Sequence, residues 1–230
     1  MTRVKIAASV VAAGLTAVLL AGCGQTAASG GQSASSQSSA SQPQPATAKA
    51  VPTELVRADS REVNAPASAK AILVLFTDYQ CPYCAKMDLL IQKAKAEYAD
   101  SVRIVVRNYP LPMHQNAPLA AQAVEAAAEQ GALEPMASAV FLGQQSWAKA
   151  TEGQRETLRG FAQGLGLDMA RFDADFASAK VQNRVAQDLQ DATALGLKGT
   201  PSVVLNGSLL SVDSSDYATL KNPIDQVLAG

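Results

Sequence analysis

Two cysteines stand three residues apart in Cys81-Pro82-Tyr83-Cys84, directly after a turn that follows the apolar run Ala71-Ile72-Leu73-Val74-Leu75-Phe76. A continuous apolar run of that length suits a strand buried on both faces. After Cys84, the residues Met87, Leu90, Ile91 and Ala94 recur at helical spacing, which predicts a helix ending near Tyr98. Val102-Arg103-Ile104-Val105-Val106 reads as the next strand, and the segment from Leu55 to Val63 offers a short one beforehand. The cysteines therefore fall at the first strand-to-helix turn of a strand–helix–strand unit.

That position has chemical consequences. The thiolate is the nucleophile of thiol–disulfide exchange. A free cysteine, with a pKa of ~8.5, holds little thiolate at neutral pH. At a helix N-terminus the free N–H groups and the helix dipole stabilise the anion. Pro82 suits a first helical turn, where its missing N–H costs nothing. Cys84 lies one turn later on the same face, within reach of a disulfide. Cys81 is the expected nucleophile, being nearer the helix start and the more exposed, and Cys84 the resolving thiol.

Two other readings of the pair are half of a zinc site and a plain structural disulfide. Structural zinc calls for four Cys or His ligands, and the chain has one His and three Cys. Closing a four-residue loop gains little entropy.

The rest of the chain alternates between helix and strand signals. Hydrophobic residues make up 48%, enough for a sizeable core, and aromatic content is only 5% with abundant alanine, which favours a helix-rich fold. Leu119, Ala120, Ala123, Val124 and Ala127 form one stripe, closed by Gly131. Thr151 with Gln154 makes a capping box for a helix carrying Leu158, Phe161 and Leu165. Asp168 is placed to cap a helix carrying Phe172 and Phe176, and Val181, Val185, Leu189 and Ala192 stripe the last helix of the block before Gly196. Val203-Val204-Leu205, Asn206-Gly207 and Leu209-Leu210 read as a hairpin. A final helix is expected from about Ser215 to Leu228. The order is ββαβ, a helical block, then ββα, with no internal repeat.

The segment Phe76-Thr77-Asp78-Tyr79-Gln80-Cys81-Pro82-Tyr83-Cys84, followed much later by Gly199-Thr200-Pro201, resembles the DSBA-like branch of the thioredoxin superfamily of thiol–disulfide oxidoreductases. Arg107-Asn108-Tyr109-Pro110-Leu111, with His114 and the alanine-rich helix after it, resembles that branch too. The resemblance covers residues 54–230. It implies an α/β, thioredoxin-like fold with a helical insertion, about 110–196, between the βαβ and ββα halves. It also implies a cis bond at Pro201, facing the cysteines, with Thr200 presenting its backbone to a substrate peptide. Pro82 and Tyr83 would tune the redox couple.

Two departures bear on this. Thioredoxin and DsbA carry a buried acid where this chain has Leu75, and Tyr83 replaces the histidine of DsbA's CPHC motif. A charged histidine stabilises a thiolate and tyrosine does not, so a less strongly oxidising couple is expected. Asp78 reads as a turn or cap residue, His114 as structural or solvated ahead of catalytic, and Trp147 as core or cavity lining.

The N-terminus reads as an address. Arg3 and Lys5 precede 16 uncharged residues, Ile6 to Ala21, too few for a helix of ~20 residues to cross a hydrocarbon core. The small-residue end suits a signal peptide, and Leu19-Leu20-Ala21-Gly22-Cys23 resembles the bacterial lipobox. The expectation is a leader over residues 1–22, then an acylated (palmitate-bearing) Cys23. The alternatives are an ordinary signal peptide with an incidental cysteine and a transmembrane anchor. The Gly, Ser, Gln, Ala and Pro-rich stretch from Cys23 to residue 53 cannot offset its ordering entropy. As a flexible tether it would hold the domain ~30 Å from a membrane. Removal of the leader takes Arg3 and Lys5 and no acid, moving the net charge from −1 to −3.

These features point to an extracytoplasmic protein thiol–disulfide oxidoreductase, with no cofactor beyond its own redox-active Cys81–Cys84 disulfide. Its expected partners are cysteine-containing secreted or envelope proteins, a membrane redox protein that recycles it, and the membrane itself through Cys23. Nucleic acid is not expected, for lack of a clustered basic face. Oxidase, reductase and isomerase share such a site; the compartment and the helical insertion favour oxidation. A lipoprotein binding module or chaperone with a relic CPYC is the alternative from another class.

Overall fold

A computed structural model describes residues 54–152 and 154–230. The leader, Cys23 and the tether lie outside the described residues. Five strands form one sheet: β1 (Arg61–Asn64), β2 (Ala71–Thr77), β3 (Val102–Asn108), β4 (Ser202–Leu205) and β5 (Ser208–Leu210), in the order β1-β3-β2-β4-β5. β2 and β3 are parallel and joined by helix α1 (Pro82–Glu97), while the other three pairings are antiparallel. Six helices, α2 (Ala117–Ala128), α3 (Leu133–Leu142), α4 (Gln144–Trp147), α5 (Gln154–Gly164), α6 (Met169–Phe176) and α7 (Ala179–Ala194), stand between β3 and β4, and α8 (Ala218–Ala229) closes the chain. The ββαβ, helices, ββα order expected from the sequence is the order found.

β2 is the central strand, and its alternating side chains serve two cores. Leu73 and Leu75, with Ile104 of β3 and Val203 of β4, pack against Met87, Ile91 and Ala94 of α1 and Leu220 and Ile224 of α8. Val74 and Phe76 turn the other way, toward Val105, Val204, Tyr109 and Ala192 of α7. A third core fills the helical block, and both cysteines of the CPYC motif belong to it. The motif thus sits where the sheet meets the helices. Helix α2 makes that junction close. Its alanines Ala120, Ala123, Ala126 and Ala127 are fully buried, and such small side chains let α3, α5, α6 and α7 all pack on it.

Local signals account for most boundaries. Asp168 caps α6 by accepting the Arg171 N–H at 3.1 Å. Gly196 ends α7 at φ 73, with the Leu197 N–H returning to the Ala192 carbonyl, a left-handed position suited to glycine. Asn206 and Gly207 have φ values of 46 and 81, the two positive angles of a type I′ hairpin turn. Two boundaries differ from expectation. α5 begins at Gln154, so Thr151 does not cap it with Gln154 in the third position; instead the Gln154 amide donates to the Glu152 carbonyl. α8 begins at Ala218 rather than near Ser215, because Asp213 Oδ1 takes the Ser215 N–H and hydroxyl in a separate turn.

β3 is fastened to α7 by a buried ionic network. The Arg107 guanidinium, 1% exposed, donates to Asp188 Oδ1 at 2.7 Å and to Asp191 Oδ2 at 2.6 Å. Its remaining nitrogen donates to the Glu54 and Leu55 carbonyls. Asp188 Oδ2 also accepts from the Asn108 N–H and amide. Burial alone would raise the Asp191 pKa, but hydrogen bonds from Arg57 and Arg107 outweigh it and hold the carboxyl at about 2.

Candidate active site

The apolar end of β2 delivers the chain to the turn Asp78-Tyr79-Gln80, and Cys81 stands at the N-cap of α1 with Pro82 in the first turn. Cys81 has extended backbone angles (φ −76, ψ 123), and its carbonyl accepts the N–H groups of Cys84 and Ala85. Both cysteines are free thiols and both are buried, Cys81 to 4% exposure and Cys84 to 0%. The expected difference in exposure is therefore small. What separates the two sulfurs is their chemistry.

The Cys81 thiol is lowered to about 6, first by the hydrogen bond from the Cys84 thiol. Burial opposes this, while the N–H groups of Cys84 and Tyr83 at the helix start and the Thr200 hydroxyl add to it. Cys84 moves the other way. Burial raises its pKa well above the ordinary thiol range, and its hydrogen bond to Cys81 adds to the rise. The pair therefore holds one proton firmly on Cys84 and leaves Cys81 as a thiolate at neutral pH. That asymmetry suits an attacking and a resolving thiol.

Thr200-Pro201 is brought against this pair. Its peptide bond is cis, and the Thr200 carbonyl lies 3.6 Å from Cys81 Sγ. The Thr200 hydroxyl is buried without a regular hydrogen-bond partner, which leaves its dipole free to act on the adjacent thiolate. Thr200→Val keeps the shape and removes that dipole. It is expected to raise the Cys81 pKa by ~0.7 units, the equivalent of one hydrogen bond of about 1 kcal/mol. The pH dependence of Cys81 alkylation in the variant measures this. Tyr83 is 61% exposed beside the pair, while Leu75 lies in the sheet core under α1 and offers no proton-accepting group there.

Three amide side chains that the sequence did not single out hold the turn. Gln144 of α4 donates to the Tyr79 and Cys81 carbonyls at 2.8 and 3.1 Å. Gln80 donates to the Ala148 carbonyl and accepts the Asn116 N–H. Asn116 donates to the Ala150 carbonyl at 2.8 Å. These bonds tie the cysteine turn to the loops around α4, and no periodicity or motif announces them.

Asp78 and His114 also come together. The Asp78 carboxylate is buried, accepting from the Gln80 N–H on one oxygen and from the Leu111 N–H and His114 Nδ1 on the other, all at 2.8 Å. Its backbone N–H points at Cys84 Sγ from 3.5 Å. The turn role expected of Asp78 is present, and a histidine contact comes with it. A groove of about 620 Å³ opens beside the motif, lined by Gln80, Pro82, His114, Gln144 and Lys149 among others. Trp147 is fully buried and donates to the Val140 carbonyl.

The family model described as Thioredoxin matches residues 66–226. Among curated proteins, the Na(+)/H(+) antiporter NhaA of Herminiimonas arsenicoxydans is 39% identical over 148 residues, covering 64% of this chain and 22% of that protein. NhaA 3 of Salinispora tropica is 35% identical over 150 residues, covering 65% and 22%. The chain thus spans 22% of the length of these curated relatives. Among solved structures, a thioredoxin-like oxidoreductase from Silicibacter pomeroyi DSS-3 superposes with a TM-score of 0.64 at 26% identity, covering 79% of this chain and 99% of that one. The oxidoreductase DsbA from Xylella fastidiosa superposes with a TM-score of 0.60 at 25% identity, covering 75% and 93%. The chain belongs to the thioredoxin family, in the DsbA-like form of the fold that thiol–disulfide oxidoreductases use.

Proposed function

We propose that this protein is an extracytoplasmic protein thiol–disulfide oxidoreductase that works through Cys81 and Cys84 and promotes disulfide formation in secreted or envelope proteins. The observation that carries the reading is the opposed chemistry of the two thiols, Cys81 lowered to about 6 and Cys84 raised. A substrate thiolate attacks Cys81 of the disulfide, and Cys84 leaves and takes a proton. A second substrate thiolate then attacks its own sulfur partner and expels the Cys81 thiolate. A favoured Cys81 thiolate stabilises the reduced protein, which makes the disulfide a better oxidant. Thr200 and Pro201 face the sulfur that carries the mixed disulfide and would receive the substrate backbone.

The lipobox-like Leu19-Leu20-Ala21-Gly22-Cys23 after an uncharged run supports a domain held by lipid on the outer side of a membrane, where a membrane redox partner would reoxidise it. The antiport named for the curated relatives is not transferred, because the match covers 22% of their length. Among the described residues no helix is long and apolar enough to cross a membrane.

Direction is tested by equilibrating the Cys81–Cys84 couple with glutathione. The expected potential lies above thioredoxin's ~ −270 mV, because Cys81 is thiolate-stabilised, and below DsbA's ~ −120 mV, because Tyr83 supplies no positive charge. A value at or below thioredoxin's would overturn the oxidative direction. A value at or above DsbA's would overturn the role given to Tyr83.

A further inference from the structure

The chemistry above leaves one proton unassigned. A substrate thiol must lose its proton before it can attack Cys81, and at neutral pH most thiols still hold it. Leu75 provides no acceptor on the sheet side of the cysteines. On the opposite side of the turn, the Asp78–His114 pair stands ready. A carboxylate only accepts hydrogen bonds, so His114 Nδ1, 2.8 Å from Asp78 Oδ2, carries a proton. In the neutral ring the lone pair is then on Nε2. Nε2 has no hydrogen-bond partner among the described residues, and His114 lines the same groove as Gln80 and Pro82. The Asp78 carboxylate is fixed by the Gln80 and Leu111 N–H groups, so the imidazole is held from behind by an immobile group. Elsewhere in the chain such an arrangement would be a loop tie; here His114 shares a groove with Pro82 of the CPYC motif.

We propose that His114, oriented by Asp78, is the base that takes the proton from the substrate thiol in the groove beside Pro82. This rests on the oxidoreductase reading above. The step balances within the protein. The substrate S–H proton passes to His114 Nε2, and the substrate sulfur bonds Cys81 Sγ. The Cys81–Cys84 bond breaks, and its electron pair leaves on Cys84 Sγ. The imidazolium proton then returns through solvent to Cys84, whose burial favours the thiol. The substrate sulfur and Cys81 form the new bond; Cys84 is reduced. Asp78 is a positioning residue, and it acts only through the ring. The charged or titratable groups beside His114 are Asp78 from the turn after β2 and Lys149 across the groove after α4. On its other side, a second cleft formed with α7 presents Gln182, Val185, Ala186 and Leu189, none of them charged.

The test is oxidation of a dithiol peptide by the oxidised full-length protein, followed from pH 6.5 to 9.5 for the parent, His114→Gln and His114→Ala, with melting temperatures and glutathione equilibria alongside. The side chain of His114 is 22% exposed, and neither variant should lose the fold. At pH 6.5 both variants should be slower by about 10–100-fold, the range open to a base acting on a thiol of pKa ~8.5. The deficit should close above pH 9, where the substrate ionises unaided. Added imidazole should restore the rate of His114→Ala at pH 6.5. The equilibrium with glutathione should stay within about twofold, since a base changes rate and not equilibrium. A deficit equal at every pH would mean a structural role and would overturn the proposal, as would parent-like rates in both variants. A parent protein that oxidises no dithiol peptide at any pH would instead sink the oxidoreductase reading itself.

Discussion

Cys81→Ser is expected to reduce thiol–disulfide exchange to the uncatalysed background, whereas Cys84→Ala is expected to leave the protein joined to its substrates. The difference follows from the two environments. Cys81 holds the thiolate and meets the Thr200 carbonyl at the substrate side. A serine hydroxyl there is neither ionised nor able to form a disulfide. Cys84 is fully buried beneath it and cannot meet a protein substrate on its own. Without Cys84, a disulfide-bonded substrate is still attacked by Cys81, but nothing within reach expels the bound partner. The same change removes the largest cause of the low Cys81 pKa, the hydrogen bond from Cys84. The trapping variant should therefore react more slowly at neutral pH and recover at higher pH. Non-reducing gels and mass spectrometry of Cys84→Ala isolated from cells would show adducts on Cys81. Exchange persisting in Cys81→Ser would contradict the assignment of roles.

Arg107→Leu is expected to be the most destabilising single change away from the cysteines, at about 3–5 kcal/mol, the usual cost of leaving buried charges without their partner. For a domain of this size that corresponds to a fall in melting temperature of roughly 10–15 °C. Removal of the guanidinium strips Asp188 of its charged partner, leaves Asp191 with Arg57 and the Gln187 amide, and frees the Glu54 and Leu55 carbonyls. The loss has a pH signature. Asp191 is depressed to about 2 in the folded protein, so its ion pairs stabilise the fold at neutral pH and that contribution fades as pH falls toward 2. The gap between parent and variant should narrow under acid. Arg107→Lys keeps the charge but not the forked geometry and should fall between them. Urea unfolding at two pH values measures all three.

The contrast between these sites marks what could be read from the sequence. CPYC, its strand-to-helix setting, the helical block and the Asn206-Gly207 hairpin were legible because each rests on local pattern: an apolar run, a helical stripe, or a residue suited to positive φ. Asp168 as a cap was legible for the same reason. The ties that hold the turn were not. Gln80, Asn116 and Gln144 lie far apart in sequence, and an amide in a helix or loop carries no signal of its partner. Arg107 was noticed only within a resemblance, since nothing local says that Asp188 and Asp191, one turn apart on α7, will face β3. Asp78 and His114 were each read alone as turn and loop residues. Their pairing spans 36 residues and exists only because β2 and the loop after β3 end side by side. The Thr151–Gln154 cap was a local pattern too, but α5 begins at Gln154, which therefore does not occupy the third helical position.

The asymmetry of the two thiols is the centre of the functional argument, and one measurement reaches it directly. The reduced protein is treated with iodoacetamide across pH 4 to 10, and the labelled cysteine is identified by mass spectrometry. Cys81 should take the label, at a rate that rises as the thiolate forms with a midpoint near 6, while Cys84 stays unlabelled in the folded protein throughout. Labelling of Cys84 first, or a Cys81 midpoint near the ordinary thiol value of ~8.5, would contradict it.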